Sequence, residues 1–250
     1  MSNSQEEIRL LVNGCNGKMG RTIIDALQNN EEFQLVGKAG RNDNLSRMIT
    51  STNANIVVDF THPSVAYKNA ITILENGAFG IIGTTGLSED QRNEIDHIAR
   101  SKNLSILIAP NFCIGSVLMI KFAAEAAKYM PYVEIVEYHH NKKADAPSGT
   151  AIYSAEYINS TVGATKPPLV DSVDAMEITS QGAKIGNIRI HSIRLPGFLA
   201  SQEIILGQNG HSLKIRHDSI DRESFLPGVL LAIRKISKMN GLIYGLEKLL

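Results

Sequence analysis

Five short apolar runs fill the first 110 residues of this 250-residue chain, and after Pro110 the rhythm stops. The runs are IRLLVN (Ile8–Asn13), FQLVGKA (Phe33–Ala39), NIVVDF (Asn55–Phe60), FGIIG (Phe79–Gly83) and LSILIA (Leu104–Ala109). Consecutive apolar side chains suit a strand buried on both faces, which requires helices above and below the sheet. The spacing predicts such helices near residues 17–29, 63–76 and 88–102. The expected fold class is therefore α/β, with a Rossmann-like doubly wound parallel sheet in the first 110 residues.

Beyond Pro110 the expectation changes. A helix candidate spans Gly115–Met130, YVEIVEY (Tyr132–Tyr138) alternates as a half-buried strand does, and a second helix starts at Ser148 and runs to Asn159. After a polar loop containing Gly and Pro, the runs Asn187–Leu195, Gln202–Leu206 and His211–His217 follow without helices between them. That pattern predicts an α+β unit with a mostly antiparallel or mixed sheet. Two more helix candidates, Asp221–Lys238 and Leu242–Leu250, end the chain.

Lys plus Arg and Asp plus Glu both number 25, and no basic run marks a nucleic-acid partner. No apolar segment approaches the ~20 residues that span a bilayer, and MSNSQEEIRL lacks the basic-then-apolar pattern of a signal peptide. A soluble, cytoplasmic protein without a membrane partner is expected. Cys15 and Cys113 have no metal-ligand spacing and read as reduced thiols. No cluster of His, Cys and carboxylates suggests a metal, so none is expected.

Two segments carry chemistry. In VNGCNGKMGR, Gly14, Gly17 and Gly20 lie between the first strand and the first helix, where glycines let a pyrophosphate approach N–H groups at a helix start. Lys18 adds a charge there. At the end of the second strand a carboxylate would hold the ribose of NAD, and an arginine would suit the 2'-phosphate of NADP. The strand ends Ala39-Gly40-Arg41, with no acid before Asp43. NADPH is thus the preferred cofactor and NADH a possible one, the open alternative being that Asp43 turns inward to the ribose.

The other segment is EYHHNKKADAPSGT, Glu137–Thr150. Side-chain alternation sends His139 and His140 to opposite faces at a strand end, and Lys142 and Lys143 follow. Ser148 is an expected N-cap, leaving the Gly149 and Thr150 amides as unpaired donors for a carboxylate or phosphate. A group titrating near neutral pH, a fixed cation and oriented N–H donors together suit a small carboxylated substrate.

Over nearly its whole length the chain resembles the dihydrodipicolinate (4-hydroxy-tetrahydrodipicolinate) reductase family, nicotinamide-dependent enzymes of lysine and diaminopimelate biosynthesis. The landmarks are NGCNGKMGR, VDFTHP (Val58–Pro63), GTTG (Gly83–Gly86), APNFCIG (Ala109–Gly115), HHNKKADAPSGT (His139–Thr150) and RHDSIDR (Arg216–Arg222). The resemblance implies a dinucleotide-binding domain of residues 1–110 and 221–250, and a substrate-binding and tetramerisation domain of residues 111–220, with the homotetramer built through the latter's sheet. It implies His139 as general acid, Lys143 as its catalytic partner, and His140, Gly149 and Thr150 on the carboxylates of a small dicarboxylate substrate. It puts Gly14, Asn16, Gly17, Lys18, Met19, Gly20 and Arg41 at the cofactor. Gly83, Thr84, Thr85, Ala109, Pro110, Asn111 and Phe112 would line its nicotinamide side, with Asn111 and Phe112 near a hinge, and Arg222 would reach it from the returning helix. Hydride delivery to an unsaturated cyclic imine leaves an enamine that must be protonated at carbon, which is the task of the acid.

Two departures from the family pattern stand out. Gly40 replaces an acidic residue of many relatives, and Ser201 and Gln202 stand where many carry a histidine, a change expected to touch local packing or assembly more than chemistry. Another NADP-dependent reductase of a small oxo or imino acid would share the glycine loop without the histidine-lysine segment. A nicotinamide-sensing binding protein would have no use for that segment.

Overall fold

The computed structural model describes residues 7–28, 30–84, 86–162, 165–166 and 181–250. Residue contacts divide the chain into two units, Met1–Phe112 with Phe225–Leu250, and Cys113–Ser224.

The first unit is a six-stranded, all-parallel sheet. Its strands are β1 (Arg9–Asn13), β2 (Gln34–Ala39), β3 (Ile56–Asp59), β4 (Phe79–Ile82), β5 (Ser105–Ile108) and, from the far end of the chain, β11 (Gly241–Tyr244). In space they run β11-β5-β4-β3-β1-β2. The five expected runs form the first five strands, and β3 and β5 are buried at every position, as a strand covered on both sides must be. Helices α1 (Lys18–Leu27), α3 (Pro63–Glu75) and α4 (Glu89–Ser101) connect them. The α4 start carries a reciprocal capping box between Ser88 and Gln91.

Two features of this unit depart from the sequence reading. An unforeseen helix, α2 (Leu45–Thr52), follows β2, held by the Asn44 side chain accepting from Arg47 N–H at 3.0 Å and by one buried residue, Ile49. The helix expected over Leu242–Leu250 is instead β11 and a 3-10 turn (Leu246–Leu249). Gly241 and Gly245 take φ of +81° and +95° at its two ends, and Gly245 N–H donates to Ile108 O at 2.9 Å, so the segment pairs with the open edge of β5 rather than coiling. The preceding candidate holds as a 3-10 turn (Arg222–Phe225) followed by a helix that we label α7 (Leu226–Ile236).

The second unit carries a five-stranded mixed sheet. After α5 (Ile114–Ala127) come β6 (Tyr132–His139), α6 (Gly149–Val162), β7 (Ala183–Ile185), β8 (Ile188–Arg194), β9 (Ala200–Gln208) and β10 (His211–Ser219). The order is β10-β9-β6-β8-β7. Only β6 and β8 pair in parallel, and α6 lies on the crossover between them. Most of the polar loop read between α6 and Asn187 lies outside the described residues, and β7 falls at its end.

The inner face of this sheet changes character along its strands. Val133 and Ile135 of β6, Ile188 and Ile190 of β8, and Ile204 and Leu206 of β9 pack with Ala123, Ala127, Ala151, Ala155 and Ile158 of α5 and α6 in one buried cluster. Two residues later in β6 and β8, and two earlier in the antiparallel β9, the same face presents Glu137, Ser192 and Gln202, which are register partners. A further step gives His139, opposite Arg194 and Ala200. The period of two thus carries an apolar core into a polar cluster at the carboxyl end of β6.

Candidate active site

In the first unit, the strand order reverses between β1 and β3, the position at which open parallel sheets leave a crevice. A cleft of about 1340 Å³ opens there, bounded by Gly14, Asn16 and Gly17 after β1, Gly40, Arg41 and Asp43 after β2, and Phe60 and Thr61 after β3. Gly14 has φ +86°, and a side chain on it would lie 2.7 Å from Phe60 O. One on Gly20 would lie 2.2 Å from Gly14 O. The loop therefore turns tightly into α1, whose N-cap Gly17 has no side chain to fill the space over the first amides. Lys18 and Met19 form the first turn of α1 and Gly20 is buried against the loop. Beneath the cleft, the buried Asp59 carboxylate accepts from Asn13 at 2.7 Å, Asn69 at 2.8 Å, and the Thr61 amide and hydroxyl at 2.9 and 2.6 Å.

Arg41 is exposed on the cleft wall. Asp43 folds back, Oδ2 accepting from Gly40 N–H at 2.8 Å, and closes the turn that displays Arg41. A carbon added at Gly40 would lie 2.8 Å from Asn16 Nδ2. Glycines where a pyrophosphate would lie and an exposed guanidinium on the wall form a cradle that fits a dinucleotide.

The residues expected on the nicotinamide side follow the ends of β4 and β5. Phe60's ring sits where a Gly83 side chain would project and stacks obliquely on Phe112 at 5.4 Å. Thr84 is buried and its hydroxyl donates to Thr61 O at 3.0 Å. Ala109 and Phe112 are buried, Pro110 and Asn111 partly exposed. Thr85 lies outside the described residues. Arg222 falls in the second unit by contacts, three residues before the chain returns to the first.

In the second unit, His139 ends β6 with Nδ1 hydrogen-bonded to Oε2 of Glu137, two residues back on the same face. Glu137 is fully buried. Its Oε1 accepts from Arg194 Nη2 at 2.7 Å and from Ser148 N–H at 3.3 Å. Burial pushes the Glu137 carboxyl up, but hydrogen bonds from His139, Arg194 and Ser192 outweigh it and hold the group at about 2. The same Arg194 Nη2 reaches Asp145 O at 2.7 Å. Lys143 Nζ donates to the Asp145 carboxylate at 2.8 Å, and Lys143 N–H to His140 O at 3.1 Å. Burial pushes the Asp145 carboxyl up, but the hydrogen bond and charge of Lys143 together outweigh it and leave the group below the usual carboxylate range. Ser148 caps α6 by accepting from Ala151 N–H at 3.2 Å, so Gly149 and Thr150 form the first turn. His140 Nδ1 is buried with no hydrogen-bond partner among the described residues.

Around the residues expected from sequence the network also draws in Glu137, Asp145, Ser154, Ser192, Arg194 and Gln202, to none of which the sequence reading gave a site role. Gln202 Nε2 donates to Ser154 Oγ at 2.8 Å, and Ser154 Oγ donates to Thr150 O at 2.8 Å, so the departure at this position ties β9 to the first turn of α6. Glu137 had a signal: it is an acid on the apolar face of YVEIVEY, in phase with Val133, Ile135 and His139. Among the described residues, no three His, Cys, Asp or Glu side chains are placed to share a metal, and no helix is long and apolar enough to cross a membrane.

Comparison with known proteins decides the family. The family model for "Dihydrodipicolinate reductase, N-terminus" matches residues 8–112, and that for "Dihydrodipicolinate reductase, C-terminus" matches residues 115–250. The chain belongs to the dihydrodipicolinate reductase family. The 4-hydroxy-tetrahydrodipicolinate reductase of Legionella pneumophila strain Philadelphia 1 is 46% identical over 244 residues, 97% of this chain and 99% of that one. That of Coxiella burnetii strain Dugway is 44% identical over 243 residues, with the same coverage. Among solved structures, the dipicolinate-bound dihydrodipicolinate reductase from Paenisporosarcina sp. TG-14 superposes with a TM-score of 0.85 at 35% identity, covering 98% of this chain and 100% of that one. An amine dehydrogenase from Mycobacterium smegmatis shares the fold at 13% identity, with a TM-score of 0.68 and coverage of 97% of this chain and 96% of that one.

Proposed function

We propose that His139 is the general acid and Lys143 the principal cation of this reductase, with the first turn of α6 binding substrate carboxylate. The enzyme catalyses NAD(P)H-dependent reduction of 4-hydroxy-tetrahydrodipicolinate to tetrahydrodipicolinate, a step of lysine and diaminopimelate biosynthesis. In the balance of the reaction a hydride and a proton are taken up and the 4-hydroxyl leaves as water. When bound, NAD(P)H supplies the hydride. His139 delivers the proton to the ring carbon that has become electron-rich, and Lys143 stabilises the carboxylate and the developing negative charge. The Gly149 and Thr150 amides and His140, whose Nδ1 has no partner among the described residues, bind the carboxylates. The supporting observation is the convergence of His139, Lys143 and the capped start of α6 on one polar cluster at the end of β6.

The cradle after β1 and β2 binds the dinucleotide, with Arg41 on the 2'-phosphate, so NADPH is favoured over NADH. Asp43 has one oxygen committed to Gly40 N–H, which supports this reading over a ribose contact. The Gly83–Thr85 and Ala109–Phe112 segments line the nicotinamide side of that cradle, and the family motif assigns Arg222 to the cofactor. His139→Gln should bind NADPH normally and lose about 10²-fold in turnover, the scale of general acid-base catalysis. Turnover near that of the wild type would remove His139 from the role.

A further inference from the structure

We infer that Glu137 is a positioning residue that fixes the proton-donating form of His139, and that Arg194 fixes Glu137. This rests on the reading of His139 as general acid. A carboxylate only accepts hydrogen bonds, so the His139 nitrogen it faces, Nδ1, carries a proton. The other nitrogen, Nε2, is then the one turned to chemistry. A proton leaving Nε2 leaves a neutral ring still held through Nδ1–H, so neither ring orientation nor tautomer changes during the step.

The arrangement around Glu137 has no slack. Oε2 takes His139, Oε1 takes Arg194 and the Ser148 amide, and the side chain is fully buried. Among the described residues, the charged groups of this network are Glu137 on β6, Arg194 on β8, and Lys143 paired with Asp145 in the loop before α6. From β9 and α6 come the uncharged Gln202, Ser148 and Ser154. Glu137 and Arg194 offset one another, so the Arg194 charge does not stand uncompensated against an imidazolium at His139.

Glu137→Gln tests this sharply, because an amide has one accepting end and one donating end. Its oxygen would stay with Arg194 and Ser148, as Oε1 does now. Its NH2 would then face Nδ1 and exclude a proton there. The imidazolium is disfavoured twice, by that clash and by the uncompensated Arg194 charge.

The expected result is a fall in kcat of about 10- to 100-fold, the scale for losing the partner that orients a functional imidazole, with KM and NADPH binding little changed. The alkaline limb of the kcat–pH profile should move to lower pH. Adding Glu137→Gln to His139→Gln should lower kcat no further than His139→Gln alone, since the two residues act as one unit. A purely structural role for Glu137 would instead multiply the two losses and leave the pH profile in place. Nitrogen-15 NMR of histidine-labelled wild-type enzyme supplies a readout that needs no variant to fold: Nδ1 of His139 should show a bound, hydrogen-bonded proton, and a bare Nδ1 overturns the inference. If His139→Gln itself stays active, the general-acid reading falls and takes this inference with it. If His139→Gln is inactive while Glu137→Gln keeps its kcat and pH profile, only the inference falls.

Discussion

Arg41 and Asp43 line the same cleft with opposite charges, and Asp43 has one carboxylate oxygen engaged by Gly40 N–H within the β2 turn. A charge-assisted hydrogen bond typically contributes ~1.5 to 3 kcal/mol, so Arg41→Ala should lower kcat/KM for NADPH by about ten- to a hundredfold and leave NADH near its wild-type value. Steady-state kinetics with both cofactors checks this, and an equal loss for both would mean that Arg41 does not read the 2'-phosphate. Gly40→Asp should shift preference toward NADH at some cost to both, because its Cβ would crowd Asn16 and its carboxylate would stand beside Asp43. Glu137 makes a second residue-scale prediction. Its folded-state group sits at about 2 against an ordinary 4.5, so its contribution to stability is complete above pH 4.5 and is lost as pH falls toward 2. Urea midpoints measured across that window should drop more steeply in the wild type than in Glu137→Gln. At this scale the residues proposed to face substrate or cofactor were legible in the sequence, and the residues that support them were not. His139 and Lys143 stand within one short motif, whereas Arg194 lies 57 residues from Glu137 and meets it only through the β6–β8 register.

Elements were legible wherever one physical signal dominated. Buried parallel strands announce themselves by unbroken apolar runs, and α4 and α6 by the serines that cap them. α2 escaped because LSRMITST is short, rich in Ser and Thr, and buries one side chain, so neither period nor composition marks it. β11 was misread because GLIYGLEKLL has enough apolar residues for a helix, and what decides against one is the open edge of β5, over 130 residues earlier. Burial in that edge predicts that Ile243→Ala, at a site 4% exposed, destabilises the protein by about 2 to 5 kcal/mol, read as a fall in Tm. The α6 start carries both a structural and a functional expectation. Ser148→Ala should cost about 1 kcal/mol through loss of the cap. Thr150→Val should weaken competitive inhibition by pyridine-2,6-dicarboxylate without lowering Tm comparably. If inhibition and substrate affinity both stay unchanged, Thr150 serves only the helix.

For the whole molecule, the two-unit organisation raises the question of assembly. In the second unit, α5 and α6 pack on the inner face of the sheet, while Val136, Tyr138, Ile193 and Ile205 alternate onto the outer face and are only partly buried in the single chain. This supports the homotetramer proposed for this sheet, and light scattering should give four times the 27.3 kDa chain mass. Ile205→Glu should lower that mass, and a fully active monomer would sink the proposal. The order in which the chain visits its two units also bears on how it is made. β5 acquires its outer neighbour β11 only after all of Cys113–Ser224 has been synthesised. At ~5 to 20 residues per second, the parallel sheet spends on the order of ten seconds on the ribosome with β5 as a bare edge while a complete second unit emerges. A nascent chain stalled before Gly241 should therefore be prone to edge-to-edge association that the released 250-residue chain is not, which makes the Gly241–Tyr244 strand a lock on translation-coupled folding.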